Sequence, residues 1–255
     1  MKKVRFKAKV TYDGSGFYGW QVQPGKRTVQ AEIERVLSQI FQQDVKIQGC
    51  GRTDTAVHAI CYVFSFSVHT DMTPAEVMKA TNSLLDKKIR IKEVSYAENS
   101  FHPRFDARKK IYRYLISEFN SPFLINRAWY ICQKLNIAKM KKAAEYIVGT
   151  HDFACFQASG RKAKNTVRTI EYIKIKRERC CIDPDVKMIA IEVCGTGFLY
   201  KMVRNIVGTL VDVGRNKKLP EQIKEIIESK DRKLASATAP GYGLYLKNVI
   251  YKRAS

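Results

Sequence analysis

The sequence predicts an α+β protein built from two similar mixed units, each an antiparallel sheet with helices covering one face. Three observations carry that prediction. Strand-like alternation and helix-like spacing are interspersed along the whole chain. The second half repeats the ingredients of the first without a recognisable sequence repeat. Of 255 residues, 45% are hydrophobic, enough to fill two modest cores. A boundary is expected near residue 105, giving an N-terminal unit over 1–105 and a C-terminal unit over 106–255.

The first half reads as follows. Val4, Phe6, Ala8, Val10 and Tyr12 alternate with Arg5, Lys7, Lys9 and Thr11, the pattern of a half-buried antiparallel strand. A glycine-rich loop comes next. Val29, Ile33, Val36, Leu37, Ile40 and Phe41 then fall at helical spacing, with Thr28 as N-cap. Two strands, "VKIQ" and "ICYVFSFSV", are expected on either side of the turn "GCGRTDTAVHA". Thr73-Pro74-Ala75-Glu76 opens a second helix, a capping box with proline at the first helical position. "KIRIKEVSYA" closes this half as a strand.

In the second half, "KKIYRYLIS" and "RAWYI" read as strands, and residues 136–148 as a helix stopped by Gly149. "TVRTIEYIKIKR" and "VKMIAIEVC" read as a strand pair. "GFLYKMVRNIVGTLVDVG" reads as one long helix with Met202, Val203, Ile206 and Leu210 on a single stripe. A shorter helix follows Pro220, and "GLYLKNVIY" is a final strand.

The charge narrows the function. Against 46 Lys+Arg stand 24 Asp+Glu, a formal net charge of +22. A field of that sign and size points to a polyanion, nucleic acid before an anionic membrane surface. No apolar run approaches the roughly 20 residues of a membrane span. The start "MKKVRF" leads into alternation, not into the apolar stretch of a leader, so a cytoplasmic location is expected. The seven cysteines form no C-x-x-C pair and only four histidines are present, widely scattered. A zinc site is therefore not expected, and most thiols should fill the core.

Two motifs raise questions of chemistry. "GSGFYG" at 14–19 matches the dinucleotide fingerprint G-x-G-x-x-G and follows a strand. That fingerprint needs a helix to start at the glycines. Here Trp20, Pro24 and Gly25 intervene, so a loop with tight turns is the better reading. The other motif places Arg52 and Asp54 between glycines and apolar strands. A surface turn former and a catalytic carboxylate both fit that placement.

The wider set of motifs decides between them. "GRTDTAVHA" resembles the G-R-T-D-x-G-V-H-A signature of the tRNA pseudouridine synthase A family. "YDGSGFYGWQ", "FHPRFDARKKIYRY", "GTHDFACF", "GFLYKMVRNIVGTL" and "ATAPGYGLYL" resemble that family's other motifs, in the same order, from about residue 4 to 251. The resemblance implies a pseudouridine synthase fold with a basic central cleft between the two units. It also implies isomerisation of uridines 38, 39 and 40 in the tRNA anticodon stem-loop, no cofactor, no metal and a homodimer. It gives Asp54 the place of the nucleophile, Arg204 that of the arginine paired with it, and Tyr112 that of the tyrosine against the base. Arg52 belongs to the signature. Phe101, His102, Arg104 and Phe105, with Arg161, Lys162 and Lys164, fall on segments that touch tRNA. Arg108, Lys109 and Lys110 add charge beside them.

Two departures stand out. The signature usually has glycine where this chain has Ala56, and Thr55 is also atypical. A Cβ at 56 disfavours positive φ, so the turn is expected to differ from the family's and to shift Asp54 slightly. "NSLLDKKIRI" has Asp86 and Lys88 where the family commonly has proline and an acid. A non-catalytic tRNA-binding module on the same scaffold is the rival reading.

Overall fold

The computed structural model describes residues 2–160, 163 and 165–251. Along the chain run β1 (Lys2–Tyr12), α1 (Val29–Phe41), β2 (Gln48–Gly49), β3 (His58–Thr70), α2 (Pro74–Leu84), β4 (Ile89–Tyr96), β5 (Ala107–Ser117), β6 (Trp129–Tyr130) and α3 (Ile137–Glu145). There follow β7 (Gly149–Asp152), β8 (Val167–Arg179), β9 (Lys187–Gly195), α4 (Met202–Gly214), α5 (Gln222–Ser229) and β10 (Leu244–Tyr251). They cluster into two compact units, Met1–Arg108 with Tyr245–Ser255, and Lys109–Leu244.

In the first unit the strands lie in the order β4-β1-β3-β10, with β2 on β3. β1 pairs antiparallel with β3, from Lys2 opposite Thr70 to Tyr12 opposite Ala59. Its alternation works as expected: Phe6, Ala8, Val10 and Tyr12 point into the core. The final strand departs from the antiparallel pattern. β10 runs parallel to β3 and sets Tyr245 opposite His58.

Both helices of this unit start where the caps require. The Thr28 side chain accepts from Ala31 N–H, and Val29, Ile33, Val36 and Leu37 are buried. At Thr73 the full capping box is present, with Pro74 in the first turn. "VKIQ" differs from expectation. Only Gln48 of it is strand. Its backbone is satisfied by α1 side chains instead: Ser38 accepts from Val45 N–H, Glu34 accepts from Ile47 N–H, and Gln30 donates to Ile47 C=O. Partners met there leave no need for a ladder.

In the second unit the order is β5-β9-β8-β7, with β6 parallel to the end of β5. The β8–β9 pair is antiparallel over almost its full length. α3 begins on an Asn136 N-cap, and Gly149 beyond its end takes φ +119. α4 starts at Met202, later than expected, because Lys201 sits in the left-handed conformation and breaks the helical run. It is also buried on more than one stripe: Asn205, Val207 and Thr209 are covered as fully as Met202 and Ile206. A helix covered on most sides is a core helix, not an amphipathic lid. Among the described residues no helix is long and apolar enough to cross a membrane. Of the cysteines, Cys50, Cys155, Cys180 and Cys194 are buried, whereas Cys132 and Cys181 are exposed.

Candidate active site

Asp54 lies on a short irregular segment between β2 and β3. Its neighbour Thr53 is buried, Arg52 is exposed and Asp54 itself is half-buried. The order in–out follows from what lies behind. The Thr53 hydroxyl meets the Tyr12 hydroxyl at 2.9 Å in the core. Arg52 turns outward, where Nε donates to Gln21 Oε1 at 3.3 Å.

Residues 54–57 form a tight turn closed by Val57 N–H on Asp54 C=O, 3.2 Å. Ala56, third of the four, has φ +62. A positive φ at that position alone is the type II pattern, in which glycine is favoured. The expectation that a Cβ would keep residue 56 out of positive φ is therefore corrected. Ala56 adopts the backbone glycine would take, and carries the steric cost of doing so, about 1–2 kcal/mol. Bonds to the surrounding loop hold it there.

That loop is the glycine-rich stretch at 14–19, whose role is now physical. A Cβ on Gly14 would lie 2.1 Å from Val57 O, and one on Gly19 2.4 Å from Thr53 O. Backbone thus rests directly on backbone, which only glycine permits. Hydrogen bonds lock the contact: Trp20 N–H to Thr53 C=O at 3.1 Å and Ala56 N–H to Phe17 C=O at 3.3 Å. His58 completes the frame. It is buried, its Nδ1 accepts from Gly14 N–H at 3.0 Å, and its ring stacks on Tyr245 at 4.6 Å. Asp13 Oδ1 lies 3.2 Å from the same nitrogen. Burial works to raise the Asp13 carboxyl, but bonds from Ser15, then His58 and Lys88 nearby, hold it below the usual range. On the other side of the turn, Tyr62 stacks on Trp20 at 3.8 Å and its hydroxyl donates to Gly51 C=O.

The loop bearing Phe101, His102, Arg104 and Phe105 is also in the first unit. Arg5 donates to Phe101 C=O through Nε and Nη2, at 3.2 and 2.8 Å. The Tyr251 hydroxyl donates to Pro103 C=O at 2.7 Å, and Lys7 Nζ sits over both the Phe101 and Tyr251 rings. His102 Nδ1 accepts from Arg104 and Phe105 N–H. Pinned in this way, the loop leaves Phe105 74% exposed, with the Arg104 guanidinium 5.6 Å from its ring. An outward ring beside a cation suits base stacking. Arg161, Lys162 and Lys164 lie outside the described residues.

Tyr112 and Arg204 belong to the second unit. Tyr112, on β5, is opposite Val193 and meets the Phe198 ring edge-on at 5.0 Å. Tyr114, two residues on and facing the same way, is buried and donates to Pro240 C=O at 2.8 Å. Burial pushes its hydroxyl far above the usual tyrosine range. It is a packing residue. Arg204 Nε donates to the adjacent carbonyl, Ala239 C=O, at 2.7 Å, and Ala239 N–H returns a bond to Arg204 C=O. The 235–240 segment can lie on α4 because of Gly208, where a Cβ would meet Ala237 O at 1.9 Å. Asn205 ties the same segment down through Thr238 at 2.6 Å and Arg232 at 3.1 Å.

Sequence reasoning named the acid, the tyrosine and the arginine. It missed Tyr12, Trp20 and Tyr62 as the wall behind the turn, and read 14–19 as a loop with tight turns without setting its glycines against residues 53–57. Their signal was present, since glycines spaced for close approach next to a Trp mark a contact surface.

A family model described as tRNA pseudouridine synthase matches residues 8–106 and 143–252. The chain belongs to that family. A protein of Pseudothermotoga lettingae called tRNA pseudouridine synthase A is 44% identical over 249 residues, covering 97% of this chain and 99% of its own. Proteins of the same name from Thermotoga sp. and Borrelia turicatae are 42% and 40% identical over 254 residues. They cover 98% and 99% of this chain and 100% of their own.

Proposed function

We propose that this protein isomerises uridine to pseudouridine at positions 38, 39 and 40 of the tRNA anticodon stem-loop, with Asp54 as the nucleophilic carboxylate. The observation that supports this most is the turn itself: an acid within the family's R-T-D motif, held by backbone contacts on a frame of buried aromatics. The reaction breaks N1–C1′, turns the base and rejoins it through C5, whose proton then leaves. Nothing is oxidised or reduced, so the chemistry calls for a charge-stabilising carboxylate and a pocket, not an electron carrier.

Arg204 is proposed as the guanidinium that keeps the carboxylate ionised in a dry site, since its planar fork suits bidentate pairing. Tyr112 is proposed to stack on the extruded base. Arg104, Phe105, Phe101 and His102, with Arg161, Lys162 and Lys164, are proposed to bind tRNA, and Arg52 to act within the signature. Phosphate contacts offset the few kcal/mol that unstacking costs. A cytoplasmic location and a homodimer complete the proposal.

The test is pseudouridine mapping in unmodified tRNA transcripts, with tritium release from C5-labelled uridine as the rate. Asp54→Asn should abolish release while tRNA affinity stays within about threefold, because phosphate contacts dominate binding. Near-normal turnover by that variant would refute the mechanism. Binding without tritium release by the unmodified protein would favour a non-catalytic tRNA-binding module.

A further inference from the structure

The two departures from the family pattern at 86 and 88 sit beside the frame that holds the nucleophile's turn. Lys88 Nζ donates to the Ser15 carbonyl at 2.9 Å and to its hydroxyl at 3.1 Å. Lys88 C=O accepts from Asp13 N–H at 2.9 Å. Asp86 Oδ1 accepts from Lys88 N–H at 2.7 Å, and Asp86 Oδ2 pairs with Arg27 Nη2 at 2.6 Å. Arg27 in turn accepts from Tyr18 N–H at its carbonyl, 2.9 Å, and lays its guanidinium over the Phe17 ring at 4.7 Å. The corner therefore grips both ends of the glycine loop, at 13–15 and at 17–18.

The same loop carries Gly14 and Gly19 against the turn, and Phe17 C=O against Ala56 N–H. Every link from Lys88 to residues 54–57 is thus a contact of definite length. We infer that Lys88, with Asp86 as its partner, is a positioning residue for Asp54: the two form a strap that holds the 13–18 loop against the turn. A loop with glycines at 14, 16 and 19 needs such a tether. Glycine leaves the backbone the widest freedom, and a shift of one ångström at a reacting group is costly.

The inference rests on Asp54 being the nucleophile, and the experiment separates the two ideas. Steady-state tritium release is measured with the full chain for Lys88→Gln, Lys88→Arg, Lys87→Gln and Asp54→Asn. Lys88→Gln should lower kcat roughly three- to tenfold with KM unchanged, because a loosened turn misplaces the carboxylate without touching RNA contacts. Lys88→Arg, which keeps a donor for Ser15, should recover most of that loss. Lys87→Gln removes the same charge from the same corner and should leave kcat unaltered. A Lys88→Gln enzyme with wild-type kcat, whether or not its KM changes, would overturn the strap. Loss of kcat that Lys88→Arg does not recover would overturn it too. If Asp54→Asn is inactive while Lys88→Gln turns over normally, only the strap fails. If Asp54→Asn is active, the proposed mechanism fails first.

Discussion

The turn that bears Asp54 and the helix that bears Arg204 solve one problem in two ways. In each, a glycine lets a foreign backbone carbonyl approach closer than any Cβ allows: Gly14 and Gly19 against residues 53–57, Gly208 against Ala237. They differ in what is held. In the turn the backbone itself is in an unfavourable conformation, Ala56 at φ +62, and the aspartate's single methylene moves with it. On α4 the backbone is ordinary helix, and the long Arg204 side chain is aimed by its own Nε bond to Ala239 C=O. A short acid is placed by the main chain; a long base is placed by its own side chain.

The largest expected effects test the shared part. Gly14→Ala and Gly208→Ala put a methyl about 2 Å from a backbone oxygen, and each should cost at least about 3 kcal/mol of stability in urea unfolding. Gly25→Ala, with open space around it and φ +66, should cost only about 1 kcal/mol. Equal costs at all three would show that close approach is not what the glycines provide.

Next come the substitutions that separate the two sides. Asp54→Glu shifts the carboxylate along a fixed backbone and should lower kcat by about a hundredfold. Arg204→Lys keeps charge on a flexible stem and should lower it by about tenfold. The reverse order would invert the comparison. A smaller effect belongs to Ala56→Gly. Removing the Cβ relieves the left-handed strain but adds freedom to the unfolded chain, leaving a net gain of about 0.5–1 kcal/mol, or about 1–4 °C in Tm.

The smallest effect is at Asp86. A backbone bond from Lys88 and a side-chain bond from Arg27 hold its carboxyl below the usual range. A folded-state pKa that is depressed gives stability present above the unfolded value, about 3.9, and lost as pH falls through the folded value. Asp86→Asn should therefore lower Tm slightly at neutral pH, and the gap should close under acid. A gap that widens in acid would contradict the ion pair.

How much of this was legible depended on whether the signal was local. The Thr73 capping box, the Thr28 cap and the β1 alternation are written in consecutive residues, and they appear as read. "VKIQ" failed because its backbone partners are side chains of α1, several residues upstream. The family motifs named Asp54, Tyr112 and Arg204, but not what steadies them. Tyr12 and His58 act through contacts some forty residues away in sequence. Ala56 was misjudged because a Cβ penalty was weighed alone, without the hydrogen bonds that override it. Nor does "GLYLKNVIY" say which strand it joins, since a period of two is silent on partner and direction.

That last strand has a consequence for how the polypeptide is made. β10 pairs with β3, so the first unit is discontinuous in the chain. A ribosome delivering about 5–20 residues per second leaves the His58 end of β3 without its β10 partner for roughly 9–35 s, the time to make the residues between Thr70 and Leu244. During that interval the nascent N-terminal part has an open sheet border at that end. Trimming the final strand should loosen the unit that begins the chain before the one the cut adjoins.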